Sequence, residues 1–369
     1  MRIGIDARLI FYQKAGIGQY IMRLTEALAQ LDHQDEFTFF TSRKDRTELV
    51  TQPNFRHRRL WTPSHHRFER ATLSAEFLPF NLDVLHSPDF IQPSRTRFPS
   101  VITVHDLAFL LYPRFLTKES ARYYGQVDVA TRRARQVIAV SQSTKRDIIR
   151  LLGVPEERVT VIYEAAHPIF RPLDRAQARR HVAERYGIQE DFVLFVSTIE
   201  PRKNLPTLLE AIRKLRDIYH VPATLAVAGQ QGWLVDQMNE IVTRLHLTEF
   251  VRFLGPVSNE ELLYLYNAAR VFALPSFYEG FGLPPLEAMA CGTPVVVSNT
   301  SSFPEVVGDA GQLVPPEDVE AWSVALWRVL TDQNLRDEMC EKGLRRTAMF
   351  SWERAAREHL AVYYQAATK

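Results

Sequence analysis

Short apolar runs alternate with helix-patterned stretches along this 369-residue chain, and the alternation stops once and then restarts. The first series of strand candidates is Arg2–Asp6, Glu36–Phe40, Asp83–His86, Val101–Val104, Gln136–Val140 and Val159–Ile162. Several are apolar on successive residues, the pattern of strands buried on both faces of a parallel sheet. Helical patterns such as Gly18–Leu31 and Lys118–Arg135 fill the gaps. Such alternation predicts right-handed βαβ units and a doubly wound α/β fold. The run His167-Pro168-Ile169-Phe170-Arg171-Pro172 then interrupts it, because two prolines disfavour continuing either element. A helical stretch, Asp174–Tyr186, precedes a second series: Phe192–Val196, Thr224–Ala228, Val251–Leu254, Val271–Leu274 and Val295–Val297. Helices Pro206–Tyr219 and Asn259–Ala269 lie among these strands, and Trp352–Ala367 follows them. We expect two Rossmann-like domains, residues 1–172 and 173–350, facing a central cleft. Residues 351–369 form a helix expected to pack back on the first domain. Ligands of such sheets bind beyond the carboxyl ends of the strands, where the strand order reverses.

Charge refines this picture. The net charge of +2 is a cancellation: residues 1–180 hold 28 Lys+Arg against 19 Asp+Glu, and residues 181–369 hold 17 against 24. The basic surplus has a location. Arg56, Arg58, Arg59, Arg67 and Arg70 surround Trp61 and Phe68 ahead of a helix expected over Glu69–Phe80, and Arg132, Arg133 and Arg135 form a second group. Basic stretches with aromatics suit an anionic membrane surface, so peripheral membrane contact through the first domain is one expectation and a solvated face the other. No nucleic-acid-binding motif appears. Cys291 and Cys340 lie in no zinc spacing, and the pair His65-His66 has no metal partners nearby, so no metal site is expected. Free thiols, an early polar start and no apolar run of about 18 residues suggest a cytoplasmic protein, peripheral at most on the inner face of a membrane.

The most informative stretch runs from Pro275 to Pro294. Strand Val271–Leu274 leads into Gly280 and Gly282, which let the backbone turn tightly and approach a ligand. Pro284 and Pro285 suit a first helical turn, and the helix ends at Gly292. Backbone amides and the positive helix end therefore face whatever sits over the loop, an arrangement that favours phosphate. Glu279 and Glu287 bracket this end and can accept hydrogen bonds from hydroxyls. A second stretch, Ser197-Thr198-Ile199-Glu200-Pro201-Arg202-Lys203-Asn204, follows the first strand of the second series. Arg202 offers a planar fork to phosphate oxygens and Lys203 a point charge. In the first half, Gly16-Ile17-Gly18-Gln19-Tyr20 opens a helix after the first strand. Ile21 stands where a dinucleotide fingerprint wants its third glycine, which counts against an oxidoreductase. Asp6 and the pair His105-Asp106 lie at strand ends and are further cleft candidates.

Taken together, the Glu279-to-Glu287 spacing, the EPRKN run and the CGTPVV run resemble the family 4 retaining glycosyltransferases of GT-B architecture. Pro304-Glu305-Val306-Val307 and Gly311-Gln312-Leu313-Val314 fit as well. The resemblance implies a nucleotide-diphosphate sugar as co-substrate, no cofactor and no required metal. It implies that Glu279 and His105 contact the transferred sugar, that Glu287 binds the ribose, and that Gly280, Phe281, Gly282 and Leu283 hold sugar and diphosphate. Arg202 and Lys203 would neutralise the leaving diphosphate, Gly16 and Gly18 would close over it, and Asp106 would orient His105. Ser197 and Thr198 fall at donor-binding positions but replace the Gly-Arg common in the family, which leaves more of the diphosphate to Arg202 and Lys203. The EPRKN variant and the run Ala228-Gly229-Gln230-Gln231-Gly232-Trp233 resemble bacterial polysaccharide mannosyl- and rhamnosyltransferases. GDP-mannose is thus the favoured donor, with dTDP-rhamnose or a UDP-sugar as alternatives, and a glycan or lipid-linked acceptor is implied. The rival from another class is a two-lobed sugar-binding protein that performs no transfer.

Overall fold

The computed structural model describes residues 1–12, 16–46, 49–64, 66, 68–113, 124–230 and 235–368. The chain forms two compact units, Met1–Glu164 with Ser351–Lys369, and Ala165–Phe350. Unit 1 holds seven parallel strands: β1 (Arg2–Asp6), β2 (Glu36–Ser42), β3 (Phe55–Leu60), β4 (Val84–Ser87), β5 (Ser100–Val104), β6 (Gln136–Ala139) and β7 (Val159–Val161). Their order in the sheet is β3-β2-β1-β4-β5-β6-β7. Unit 2 holds six: β8 (Phe192–Val196), β9 (Thr224–Ala228), β10 (Val251–Gly255), β11 (Val271–Leu274), β12 (Val295–Ser298) and β13 (Gln312–Val314). Their order is β10-β9-β8-β11-β12-β13, again parallel throughout. Each sheet is thus doubly wound, with its order reversing between β1 and β4 or between β8 and β11.

The central strands explain themselves. Strands β4, β5, β8, β9, β11 and β12 are buried at every position, as strands covered on both faces must be. Two strands departed from the sequence reading. Strand β3 carries Arg56, Arg58 and Arg59 and, among the described residues, pairs only with β2 at the sheet edge, where solvent tolerates charge. Strand β13 has three residues and, among the described residues, pairs only with β12. The expected helix Glu69–Phe80 spans Glu69–Glu76. Within the stretch Lys118–Arg135 the structure has a helix at Val127–Arg133, and residues 118–123 lie outside the described residues. His65, Arg67 and the segment Gln231-Gly232-Trp233 also lie outside them.

The C-terminal helix Trp352–Thr368 joins unit 1 through a buried polar chain. His359 Nδ1 lies 2.7 Å from the Ala355 carbonyl and must donate to it. His359 Nε2 therefore accepts from the Tyr20 hydroxyl at 2.6 Å, and Tyr20 in turn accepts from Thr103 at 3.0 Å. Thr103 accepts from His86 Nε2 at 2.9 Å, leaving His86 Nδ1 to accept from Tyr363 at 2.7 Å. With both imidazoles neutral, every proton in this chain has a place. Burial agrees, holding His86 well below its ordinary pKa and pushing His359 down to about 4. Among the described residues no helix is long and apolar enough to cross a membrane.

Candidate active site

The reversal point of unit 2 is framed by two loops. The first, after β8, runs from Ser197 to Asn204 and includes a short 3-10 turn, Pro201–Lys203. Its start is held against the loop after β9, with Ser197 N donating to the Ala228 carbonyl at 3.0 Å and Ile199 N to Gln230 at 3.1 Å. Gly229 permits this approach, since a Cβ there would lie 2.0 Å from the Ser197 carbonyl oxygen. Asn204 closes the loop in the left-handed region, at φ 53°, and its side chain donates to the Pro316 carbonyl at 2.7 Å. The helix Leu205–Asp217 follows.

The second loop, after β11, meets the first directly. Phe277 N donates to the Arg202 carbonyl at 2.9 Å, and the Arg202 guanidinium donates to the Tyr278 carbonyl at 2.7 Å. Glu279 is buried between the cations: Lys203 Nζ lies 2.6 Å from Oε1, and Arg202 Nη1 lies 3.2 Å from Oε2. Ser276 Oγ adds a third bond to Oε1 at 2.7 Å. Burial alone would raise the Glu279 pKa, but Lys203 and Arg202 overcome it and hold the carboxyl at about 2. Lys203 is lowered by its burial and by Arg202, against the pull of Glu279. Arg202 Nη2 also lies 3.5 Å from Glu200 Oε2, so two cations and two carboxylates meet here, Glu279 buried and Glu200 partly exposed. Around Glu279 the setting is poor in water and charge interactions are strong.

Beyond Glu279 the chain is pinned from behind. Ser301 Oγ accepts from Glu279 N at 2.9 Å, and Ser302 Oγ donates to the carbonyls of Glu279 at 3.0 Å and Phe281 at 2.6 Å. Phe281 is buried against Phe350, so its ring anchors the loop. Gly282 stands at φ 107° before the helix Leu283–Ala290, a conformation that needs glycine. Pro284 and Pro285 carry no N–H, so Gly282 and Leu283 supply the backbone donors at this helix end. Glu287 lies on that helix and accepts from the Tyr266 hydroxyl at 2.9 Å. Burial pushes its pKa up to about 7, against that hydrogen bond. The serines 276, 301 and 302 were not singled out in the sequence. Their types are ordinary for turns, and two of them lie more than twenty residues away from their partners.

Unit 1 contains the other sequence candidates. Gly16 precedes the helix Ile17–Leu31, and Gly18 is buried within it. Two residues on, Tyr20 packs edge-on against His105 at 4.8 Å. His105 follows β5, and both of its ring nitrogens face acceptors: Nε2 the Pro88 carbonyl at 2.8 Å, and Nδ1 the Glu164 carboxylate at 3.2 Å. Burial would lower the His105 pKa, yet Glu164 and the Pro88 carbonyl raise it overall. The orienting carboxylate is thus Glu164. Asp106 instead caps the next turn, its Oδ1 accepting from Ala108 N at 3.0 Å. Asp6, the other candidate, is locked in a buried pair with Arg8 at 2.7 Å, and the same guanidinium reaches Glu69 at 2.8 Å. Among the described residues no cluster of three or more metal-ligating side chains occurs.

Comparison with known proteins gives this geometry a family. Residues 180–346 match the group 1 glycosyl transferases, and residues 15–168 match glycosyltransferase family 4. The chain is similar to an O-antigen chain mannosyltransferase B of Escherichia coli, 36% identical over 76% of this chain and 74% of that protein. It is also similar to a serotype-specific mannosyltransferase WbdA of Escherichia coli, 32% identical over 71% of this chain but only 33% of that longer protein. Among solved structures, a sucrose-phosphate synthase from Thermosynechococcus elongatus aligns with a TM-score of 0.80, at 24% identity over 99% of this chain and 98% of that one. With one of these models matching each Rossmann-like unit and a mannosyltransferase relative 36% identical over 76% of the chain, the chain belongs to the glycosyltransferases of family 4 and group 1.

Proposed function

We propose that this glycosyltransferase moves mannose from GDP-mannose to a glycan or lipid-linked acceptor, with retention of the anomeric configuration. The observation that carries the reading is Glu279 held between Arg202 and Lys203, beside the backbone donors of Gly282 and Leu283. Such a cradle stabilises a departing nucleoside diphosphate, where negative charge develops as the glycosidic bond breaks. The acceptor hydroxyl attacks from the side of the leaving group, and a diphosphate oxygen takes its proton. The protein contributes positioning and charge. Glu279 holds the two cations in place and faces hydroxyls of the transferred sugar. Ionised Glu287 accepts the ribose hydroxyls, with Tyr266 fixing its carboxylate. Arg202 and Lys203 supply the charge that a metal would otherwise supply, so transfer requires no metal. Support for mannose comes from relatives that are named mannosyltransferases at 36% and 32% identity.

The test is a panel of GDP-mannose, dTDP-rhamnose and UDP-glucose, each incubated with the protein, an oligomannose acceptor and a chelator. GDP release with an α-linked product is expected, and Arg202→Ala/Lys203→Ala should lower it about 10³-fold. Full activity of that double variant would remove the assigned roles. Donor binding without any nucleotide release would favour a sugar-binding protein instead.

A further inference from the structure

Unit 1 carries a recess at the opposite end of its sheet from His105 and Asp6. A groove of about 930 Å³ opens beside Ser100 and Gln136, the first residues of β5 and β6. Arg95, Arg132, Arg133, Arg135 and Arg158 line it, against one lining carboxylate among the described residues, that of Glu157. Arg132 is paired with Asp128 at 2.9 Å. Among the described residues no carboxylate lies within ion-pair distance of Arg95, Arg133, Arg135 or Arg158. Arg158 donates to the Thr131 carbonyl at 2.8 Å and to that of Ala134, and Arg133 donates to that of Ser94. These two shape the wall, while Arg95 and Arg135 are exposed.

Two smaller recesses share this wall. One, of about 260 Å³, brings Phe68 and Val129 together with Arg70 and Arg133. The other, of about 130 Å³, brings Leu78 together with Arg95 and Arg97. Phe68, Leu78 and Val129 are 53%, 58% and 43% exposed, so apolar side chains rim a guanidinium-lined groove. A soluble polyanion would reward the arginines alone. A bilayer with anionic lipids rewards both, the headgroups meeting the charges and the acyl boundary taking the apolar rim. The β3 edge, also basic, differs: Arg56 faces Glu36 at 4.0 Å, and its neighbours stand on a sheet edge.

We propose that this face of unit 1 docks on an anionic lipid bilayer, with phosphate headgroups in the groove and Phe68, Leu78 and Val129 entering the acyl boundary. The proposal goes beyond sugar transfer and does not depend on it, because vesicle binding needs neither donor nor acceptor. The full chain is sedimented with phosphatidylcholine vesicles that contain or lack phosphatidylglycerol. Binding is expected only to the anionic vesicles. Arg95→Gln/Arg135→Gln should lower the partition coefficient about 30-fold, whereas Arg56→Gln/Arg58→Gln should change it less than about threefold. Phe68→Ser/Leu78→Ser, which leaves the charge intact, should also weaken binding. All three pairs replace exposed side chains, and unchanged thermal melts verify their folds. Three results would overturn the proposal: no binding of the parent chain to anionic vesicles, equal losses in the β3 and groove pairs, or full binding by Phe68→Ser/Leu78→Ser. That last result, with competition by soluble polyglutamate, would identify the groove as a site for an acidic protein segment.

Discussion

At the reversal point of unit 2, one carboxylate lies between two cations, Glu279 between Arg202 and Lys203. At that of unit 1, one guanidinium lies between two carboxylates, Arg8 between Asp6 and Glu69. The strand order is the same in both sheets through the sixth strand, so topology does not decide the sign. Nor does the charge of the unit. Unit 1 holds 27 Lys+Arg against 20 Asp+Glu, and unit 2 holds 18 against 23. The unit 1 reversal point thus opposes the balance of its own unit, whereas that of unit 2, with Glu200 3.5 Å from Arg202, holds two cations against two carboxylates in an acidic unit. A handful of loop residues sets the local field, and the fold supplies only the place for them. The surplus of unit 1 lies partly in the groove at the far end of its sheet. On the reading proposed above, the diphosphate goes to the paired cations and helix end of unit 2 and not to the carboxylate-rich site of unit 1.

Removing the cations tests this contrast hardest. Arg202→Ala/Lys203→Ala should lower kcat/KM for transfer by about 10³-fold, the scale on which lost transition-state charge contacts are felt. The matching change in unit 1 should act differently. Arg8→Gln leaves Asp6 and Glu69 buried without their partner and should destabilise unit 1 by about 3–5 kcal/mol. Nucleotide affinity measured below the new melting temperature should not change. An affinity loss as large as that of the unit 2 variant would break the comparison.

Smaller effects come from pH. Glu287 has its pKa pushed up to about 7, so acidification neutralises the group proposed to hold the ribose. Nucleotide should bind about tenfold more tightly at pH 8 than at pH 6, and Glu287→Gln should flatten this slope. Calorimetric titrations across that range would read it. The smallest effect concerns stability, and its sign differs between the units. In unit 1 the folded-state pKa values of His86 and His359 lie below 6.5, so their contribution around the C-terminal helix is lost as pH falls from about 6.5 toward 4, while His105, raised by Glu164, contributes with the opposite sign. In unit 2 the folded-state pKa of Glu287 lies above its ordinary 4.5, so its contribution grows as pH falls from about 7 to 4.5. Hydrogen exchange at pH 7 and 5 should show unit 1 loosening around the helix Trp352–Thr368 while the helix Leu283–Ala290 does not loosen.

What could be read in advance followed from local rules. Buried parallel strands announce themselves by continuous apolar runs, and the Gly280–Pro285 turn by its glycines and prolines. Strand β3 was hidden because Arg56, Arg58 and Arg59 sit on an edge that solvent covers. The pairing of Glu279 with Arg202 and Lys203 joins loops more than seventy residues apart, and no spacing encodes it. Glu164 escaped notice for the same reason. Its neighbours form no motif, and only the fold brings it to His105, whereas Asp106 is adjacent in sequence yet turns away to cap the next helix. Arg8 and Glu69 likewise gave no signal that a buried ion pair would join them.

The central claim is that Arg202 and Lys203, set by Glu279, grip the diphosphate. Calorimetric titration of GDP and GMP against the parent chain and Arg202→Ala/Lys203→Ala tests it most directly, because the two nucleotides differ only in the second phosphate. The parent should prefer GDP over GMP by about 100-fold, and the double variant should bind the two almost equally. An unchanged preference for GDP in the double variant would contradict the account.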